Sequence, residues 1–170
     1  MMQRGCLLAL TGKASDAVQT ITCGLSAMRS TGTTMWMPLW LSYLTRANAE
    51  IGQFDDGRCI GEAMAAVETA KERWCEAEVN RIAGKIALLS LEPDAARAEE
   101  YFERALAVAR AQQAKSWELR AAMSMARLWR DQGRRDEARD LLAPLYGWFT
   151  EGFDTRDLKE AKVLLDGLHA

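Results

Sequence analysis

Small residues recur at nearly constant intervals in this chain. Ala17, Gly57, Ala98 and Ala138 follow one another at spacings of 40, 41 and 40 residues. A turn-forming residue precedes each of them by five positions, in the order Gly12, Gly52, Pro93 and Gly133. A fixed period of roughly 20 to 50 residues is typical of proteins built from stacked structural repeats. We therefore predict a repeat array in which each small residue lets two elements approach closely.

The residues between the turn formers favour helix, because Val, Ile and Thr are sparse there while Ala, Leu, Glu and Arg are abundant. Each repeat is predicted to contain two helices. The first helices are expected at about 34–51, 74–91 and 116–132, and the second at about 14–30, 56–72, 94–113 and 135–149. Acidic residues near the second-helix starts support those starts: Asp16, Asp55 or Asp56, Asp94 and Asp136. Thr34 and Ser116 are the predicted N-caps of two first helices.

The chain is predicted to be a single domain, 1–170, with four repeats of about 40 residues at 1–31, 32–73, 74–114 and 115–150. The first repeat is truncated, since only 11 residues precede Gly12. A closing helix at 155–168 is expected to cover the last repeat with an apolar stripe of Leu158, Ala161, Leu164, Leu165 and Leu168. Most of the six tryptophans are expected in the core, with Trp40 and Trp148 partly at the surface.

The fourth repeat best matches a tetratricopeptide (TPR) pattern. Met125, Ala126 and Trp129 occupy its Leu-Gly-x-x-Tyr positions, Gly133 makes the turn and Ala138 is the small residue. The predicted fold is therefore an all-α, TPR-like α-solenoid of antiparallel helix pairs. HEAT repeats, which have a similar length, are the alternative. Gly57 and Gly61 each cost about 1 kcal/mol relative to alanine inside a helix, so the second repeat is either very tightly packed or less stable.

Composition excludes several classes of protein. With 22 basic and 24 acidic residues, the net charge is near −2, so no basic excess favours nucleic-acid binding. The longest nearly unbroken apolar stretch, Met35 to Leu44, is about half the length of a membrane span. No signal-peptide pattern is found, and four cysteines without a CxxC pair are typical of reduced core residues. We expect a cytoplasmic protein that contacts neither membrane nor nucleic acid.

The sequence offers no catalytic pattern. His169 is the only histidine and the second-last residue, so His-based catalytic triads and zinc sites are not expected. The run Gly5 to Lys13 lacks the spacing and the Ser/Thr of a phosphate-binding loop. The prediction is a non-enzyme without metal or cofactor.

A TPR-like array presents its first helices on a concave face. Projection of the repeats places six basic and three acidic residues there, together with Leu39, Ser42, Ala49, Leu88, Leu89 and Met123. The acidic residues are Glu50, Glu78 and Asp131. The predicted partner-binding residues are Arg46, Glu50, Arg81, Lys85, Arg120, Arg127 and Arg130. They favour an acidic or carboxylate-bearing peptide. The alternative is an ordinary solvated face with i,i+4 ion pairs.

Four segments carry a resemblance to a known family: ETAKERW at 68–74, YFERALAVARAQ at 101–112, the run at 115–142, and LYGWFTEGFDTRDLKEAK at 145–162. The most specific part is Trp148 to Asp154. These segments resemble the C-terminal TPR region of large bacterial signalling proteins that join an adenylate/guanylate cyclase domain and an AAA-type ATPase to a TPR tail. The resemblance implies a protein-interaction or autoregulatory scaffold, without cyclase activity.

Two other functions stay open. The unfinished N-terminal edge could pair with a second copy, which would make the chain a self-associating homodimer. A superhelical cavity could also bind a small ligand, as in a sensor domain. The leading prediction is a protein-interaction module that binds a partner on its concave face.

Overall fold

The computed structural model describes residues 2–53, 58–70 and 73–168. Within these ranges the chain forms nine α-helices, one 3₁₀ turn at Arg73–Cys75 and no β-strand. The helices are α1 Met2–Leu10, α2 Ala14–Ser30, α3 Met37–Glu50, α4 Arg58–Ala70, α5 Glu76–Leu89, α6 Ala95–Ala111, α7 Lys115–Asp131, α8 Arg135–Gly147 and α9 Arg156–Leu168. The all-α prediction is confirmed.

The helices pack as consecutive pairs: α1 with α2, α3 with α4, α5 with α6, and α7 with α8. Helices α1, α3, α5, α7 and α9 also contact one another in series, which forms an inner layer. The outer helices α2, α4, α6 and α8 each contact the inner helix of the next pair. This arrangement is that of a repeat solenoid, in which each unit buries its apolar face against its neighbours. The sequence predicted a closing helix that covers the last repeat. In the structure α9 lies in the inner layer after α7 and also contacts α8.

The regular spacing of the turn-forming residues and the small residues has a clear structural basis. Gly12, Gly52 and Gly133 adopt φ angles of +78°, +74° and +83°, a left-handed conformation that glycine adopts without a Cβ penalty. Ala17 and Ala138, which lie five positions after Gly12 and Gly133, are fully buried. Ala98 is fully buried as well. Gly57, like Asp55 and Asp56, lies outside the described residues.

The helix starts agree with the sequence only in part. The Asp94 carboxylate accepts the backbone N–H of Arg97 at 2.9 Å, which is the predicted N-cap of α6. The Thr34 cap is wrong, because α3 begins after Trp36, whose φ is +62°. The Ser116 cap is wrong as well. Helix α7 already begins at Lys115, so Ser116 lies within its first turn.

Four tryptophans form a continuous row of ring contacts across three pairs of helices. Neighbouring ring centroids along this tryptophan ladder lie 5.7, 5.3 and 6.0 Å apart, in the order Trp40, Trp36, Trp74 and Trp117. Trp148 is 57% exposed, as expected, but the prediction for Trp40 is wrong, because Trp40 is buried. The prediction that most tryptophans lie in the core is wrong as well: Trp36 and Trp74 are also exposed, and Trp117 and Trp129 are half-buried. The ladder lies near the starts of α3, α5 and α7, and its ring contacts connect the three helix pairs that begin with these helices.

Candidate functional site

Side chains from all five inner helices, or from residues next to them, surround one cavity of about 360 Å³. We call it the concave cavity. Its lining residues are Leu10, Arg46, Glu78, Arg81, Lys85, Arg120, Met123, Arg127, Thr155, Arg156, Asp157 and Glu160. Half of these twelve residues are basic, although the whole chain carries a net charge near −2. The positive charge is therefore concentrated locally.

Helical periodicity explains why these side chains converge. On α5, Glu78, Arg81 and Lys85 stand at positions i, i+3 and i+7, which share one helix face. On α7 the same spacing aligns Arg120 and Arg127 with Met123 between them. Because α5 and α7 are neighbours in the inner layer, the two charged faces meet at the same cavity.

The floor of the cavity holds a buried ion pair. Arg81 donates two hydrogen bonds to Glu78, from Nε to Oε2 at 2.8 Å and from Nη2 to Oε1 at 2.7 Å. Glu78 is 1% exposed and Arg81 6% exposed. Arg81 also donates to Ser124 Oγ at 3.4 Å, and the Tyr43 hydroxyl lies 3.5 Å from Glu78 Oε1. The bidentate pair lies within α5 and fixes both side chains, and the contacts to Ser124 and Tyr43 connect it to α7 and α3.

Opposing effects set the protonation of Glu78. Burial disfavours the carboxylate and raises its pKa, but the charge and hydrogen bonds of Arg81 lower it, with help from Arg120 and Arg46. The net effect lowers the pKa of Glu78 to about 2. Glu78 is therefore ionised at neutral pH, and Arg81 is largely engaged by it.

Lys85 differs from the other cations of the concave cavity. It has no hydrogen bond or ion pair to any residue in the described ranges, and it is half-buried. Burial lowers its pKa to about 8, and the positive charges of Arg81, Arg46 and Arg127 add to this effect. An ammonium group thus lies among three guanidinium groups, with no direct partner among the described residues.

Helix α9 supplies the opposite wall and two acidic groups. Asp157 Oδ2 accepts from Arg120 Nε at 2.6 Å, and Glu160 Oε2 accepts from Arg127 Nη2 at 3.2 Å. Arg156 donates from Nε to Glu160 at 2.7 Å and from Nη1 to the carbonyl of Leu10 at 2.6 Å. The last contact joins the end of α1 to the start of α9.

Sequence reasoning missed these α9 residues, because it treated α9 as a cap on the last repeat. Extending the alternation of inner and outer helices by one step would have placed α9 in the inner layer. Its acidic side chains would then have been expected opposite the arginines of α7.

Five of the seven predicted partner-binding residues line the concave cavity, and the other two do not. Arg46, Arg81, Lys85, Arg120 and Arg127 line the concave cavity together. Glu50 lies beside it and accepts a hydrogen bond from Arg46 at 2.9 Å. Arg130 is not among the lining residues; it pairs with its exposed neighbour Asp131 at 2.8 Å. Two residues expected on the concave face, Ser42 and Ala49, are instead buried in the packing of α3.

The described ranges contain neither a candidate metal site nor a candidate membrane span. No group of three His, Cys, Asp or Glu side chains there could hold a metal ion, and His169 lies outside those ranges. No described helix has both the length and the apolar character that a bilayer crossing requires.

Comparison with known structures identifies the fold. The chain is similar to the crystal structure of a variant of nearly identical TPR-like repeats from a kinesin light chain-type protein of Podosopora anserina. The TM-score is 0.68 at 15% sequence identity, and the match covers 99% of this chain and 82% of that chain. This likeness confirms the TPR-like prediction for the fold. No family model matches the sequence, and no curated protein sequence matches it.

Proposed function

We propose that this chain is a protein-interaction module that binds an acidic segment of a partner in the concave cavity. TPR-like repeat folds commonly mediate protein–protein interaction, and the fold supports that general role. The convergence of Arg46, Lys85 and Arg127 from three different inner helices is the observation that carries the proposal. Cations from separate elements meet at one concave place, where a partner carboxylate could contact several of them.

The wider context is inferred from sequence resemblance. A tail similar to that of bacterial cyclase–ATPase proteins would serve as a regulatory scaffold in a signalling system, and the partner would be a domain or peptide of that system. Self-association through the N-terminal edge stays a prediction of the sequence.

Binding of a defined acidic peptide tests the proposal. The probe is a fluorescein-labelled peptide of alternating glutamate and serine, measured by fluorescence anisotropy at low ionic strength, where surface charge is least screened. The double variant Lys85→Glu/Arg127→Glu reverses two cavity charges and leaves the buried Arg81–Glu78 pair intact. We expect it to weaken binding at least about tenfold, which corresponds to about 1.4 kcal/mol.

A matched control reverses two charges elsewhere. Lys159→Glu/Lys162→Glu makes the same change in net charge on exposed positions of α9 that do not line the concave cavity. This control should bind the glutamate peptide nearly as well as the wild type. Equal affinity of all three proteins, or equal binding of the corresponding lysine–serine peptide, would refute the proposed function. Thermal melts of each variant verify that it is folded.

A further inference from the structure

The concave cavity has more positive than negative charge, even after its ion pairs are counted. Arg46, Arg81, Arg120, Arg127 and Arg156 each have a carboxylate partner: Glu50, Glu78, Asp157 or Glu160, the last shared by two arginines. Lys85 is the sixth cation. Among the described residues, six cations against four carboxylates leave an excess of two positive charges at neutral pH. That excess requires counter-charge from solution or from a ligand.

Several of the cations of the cavity act electrostatically on Lys85. The cations that disfavour its protonation come from three helices: Arg46 on α3, Arg81 on α5 and Arg127 on α7. Arg46 and Arg127 each have a hydrogen bond from one nitrogen to a carboxylate in the described structure, so their remaining N–H groups can contact a ligand. Glu78 is the negative charge that acts on Lys85, and it is engaged by Arg81.

The space available limits the size of the ligand. A cavity of about 360 Å³ admits a small anionic group, whereas a whole helix is about 10 Å wide with its side chains. The hydrogen bond of Arg156 to the Leu10 carbonyl also connects α9 to α1 beside the cavity. An extended chain could therefore place one anionic side chain in the cavity while the rest of it lies outside.

From this charge, donor set and size, we infer that the concave cavity binds a phosphate monoester dianion, with Lys85 as its direct cationic partner and Arg46 and Arg127 beside it. The inference rests on the proposed function and sharpens it, since a phosphorylated side chain would be the anchor of the acidic segment. A dianion matches the excess of two charges, and its oxygens can accept from several donors at once. A single carboxylate would neutralise only half of that excess.

The test compares three versions of one peptide that differ at a single position: phosphoserine, glutamate or serine. Isothermal titration calorimetry with the full chain measures each affinity. We expect the phosphoserine peptide to bind at least about tenfold more tightly than the glutamate peptide at pH 7.5. Lys85→Met should remove that preference, and Lys85→Arg should retain it. Lys162→Met, on the exposed face of α9, is the matched control.

The pH profile separates a direct role of Lys85 from a structural one. Because the pKa of Lys85 is about 8 in the free protein, wild-type affinity for the phosphoserine peptide should fall progressively above pH 8. The phosphate remains dianionic throughout this range, since its second pKa is about 6. Lys85→Arg should lose this alkaline decrease, because a guanidinium group stays charged. Among the described residues, the other charged groups in or beside the cavity are arginines, the ion-paired Glu78, Asp157 and Glu160, and Glu50, which pairs with Arg46. Helices α4 and α6 contribute no described lining residue.

The outcomes distinguish the inference from the proposed function. Equal affinity for the phosphoserine and glutamate peptides would overturn the inference and leave the acidic-segment proposal standing. Failure of both peptides to bind would overturn both. Competition by inorganic phosphate or free O-phosphoserine at the affinity of the peptide would uphold the dianion site, identify a small phosphorylated molecule as its source, and remove the peptide from the proposed function.

Discussion

Helices α4 and α6 occupy the same outer position in successive repeats, yet they pack differently. Helix α6 lies close along α5, where a Cβ on Gly84 would be 2.5 Å from Cε1 of Phe102 and 3.0 Å from the carbonyl oxygen of Ala98. Helix α4 packs less extensively on α3, its own partner, and on α5 than α6 packs on the corresponding helices, α5 and α7. A Cβ built on Gly61 of α4 would meet no atom within 4 Å.

A cleft accompanies the looser packing of α4. Two cavities, of about 410 and 600 Å³, lie between α4 and α6 with α5 beneath them. Met64 lines both. The two helices therefore use glycine for different reasons: Gly84 allows close approach of α6, whereas Gly61 faces open space. A glycine in a repeat pattern indicates tight packing only where a neighbouring backbone or ring fills the space that a Cβ would take.

Removing the side chain that fills the α5–α6 contact should have the largest effect. Phe102 is fully buried, so Phe102→Ala should lower the free energy of unfolding by about 3–5 kcal/mol. Met64→Ala removes a half-buried side chain from the cleft and should cost only about 1 kcal/mol. Urea unfolding followed by circular dichroism measures both. Similar losses for the two variants would show that α4 and α6 are equally well packed in solution.

The sequence predicted the repeat architecture well because its signals are local. A left-handed turn glycine, such as Gly133, and a small residue five positions later, such as Ala138, can be recognised without any knowledge of long-range contacts. Gly61 alone could not show how tightly the helices of the second repeat pack, because the packing depends on whether α4 and α6 are in contact. The structure shows open space at Gly61, which argues against very tight packing there.

The candidate site was predictable to a similar extent. Helical spacing placed Arg81, Lys85 and Arg127 on the inner face, and all three line the concave cavity; their role in partner binding stays a prediction. Ion pairing was predictable only in part. The Arg81–Glu78 and Arg46–Glu50 pairs join residues three or four apart on one helix, whereas Arg127 pairs with Glu160, 33 residues away. Sequence alone could not show that no distant carboxylate in the described ranges pairs with Lys85, and this property directs the choice of variants.

Adding one methyl group to the tight contact should have an intermediate effect. In Gly84→Ala the new Cβ would overlap the ring of Phe102 and press on the backbone of Ala98. Overpacking of this kind costs typically about 1–3 kcal/mol, which outweighs the better helix propensity of alanine. We expect a lower thermal midpoint and a lower free energy of unfolding. A neutral or stabilising result would show that α6 moves away from α5 easily.

The same substitution at the loose contact should have the smallest effect, and the opposite sign. Gly61→Ala adds a methyl group that meets nothing and reduces the conformational freedom of the unfolded chain, so it should stabilise the protein by about 0.4–1 kcal/mol. Urea unfolding of Gly61→Ala and Gly84→Ala under identical conditions gives the contrast directly. If Gly61→Ala destabilises the protein as Gly84→Ala is expected to, the cleft between α4 and α6 is closed in solution, and the two outer helices pack alike.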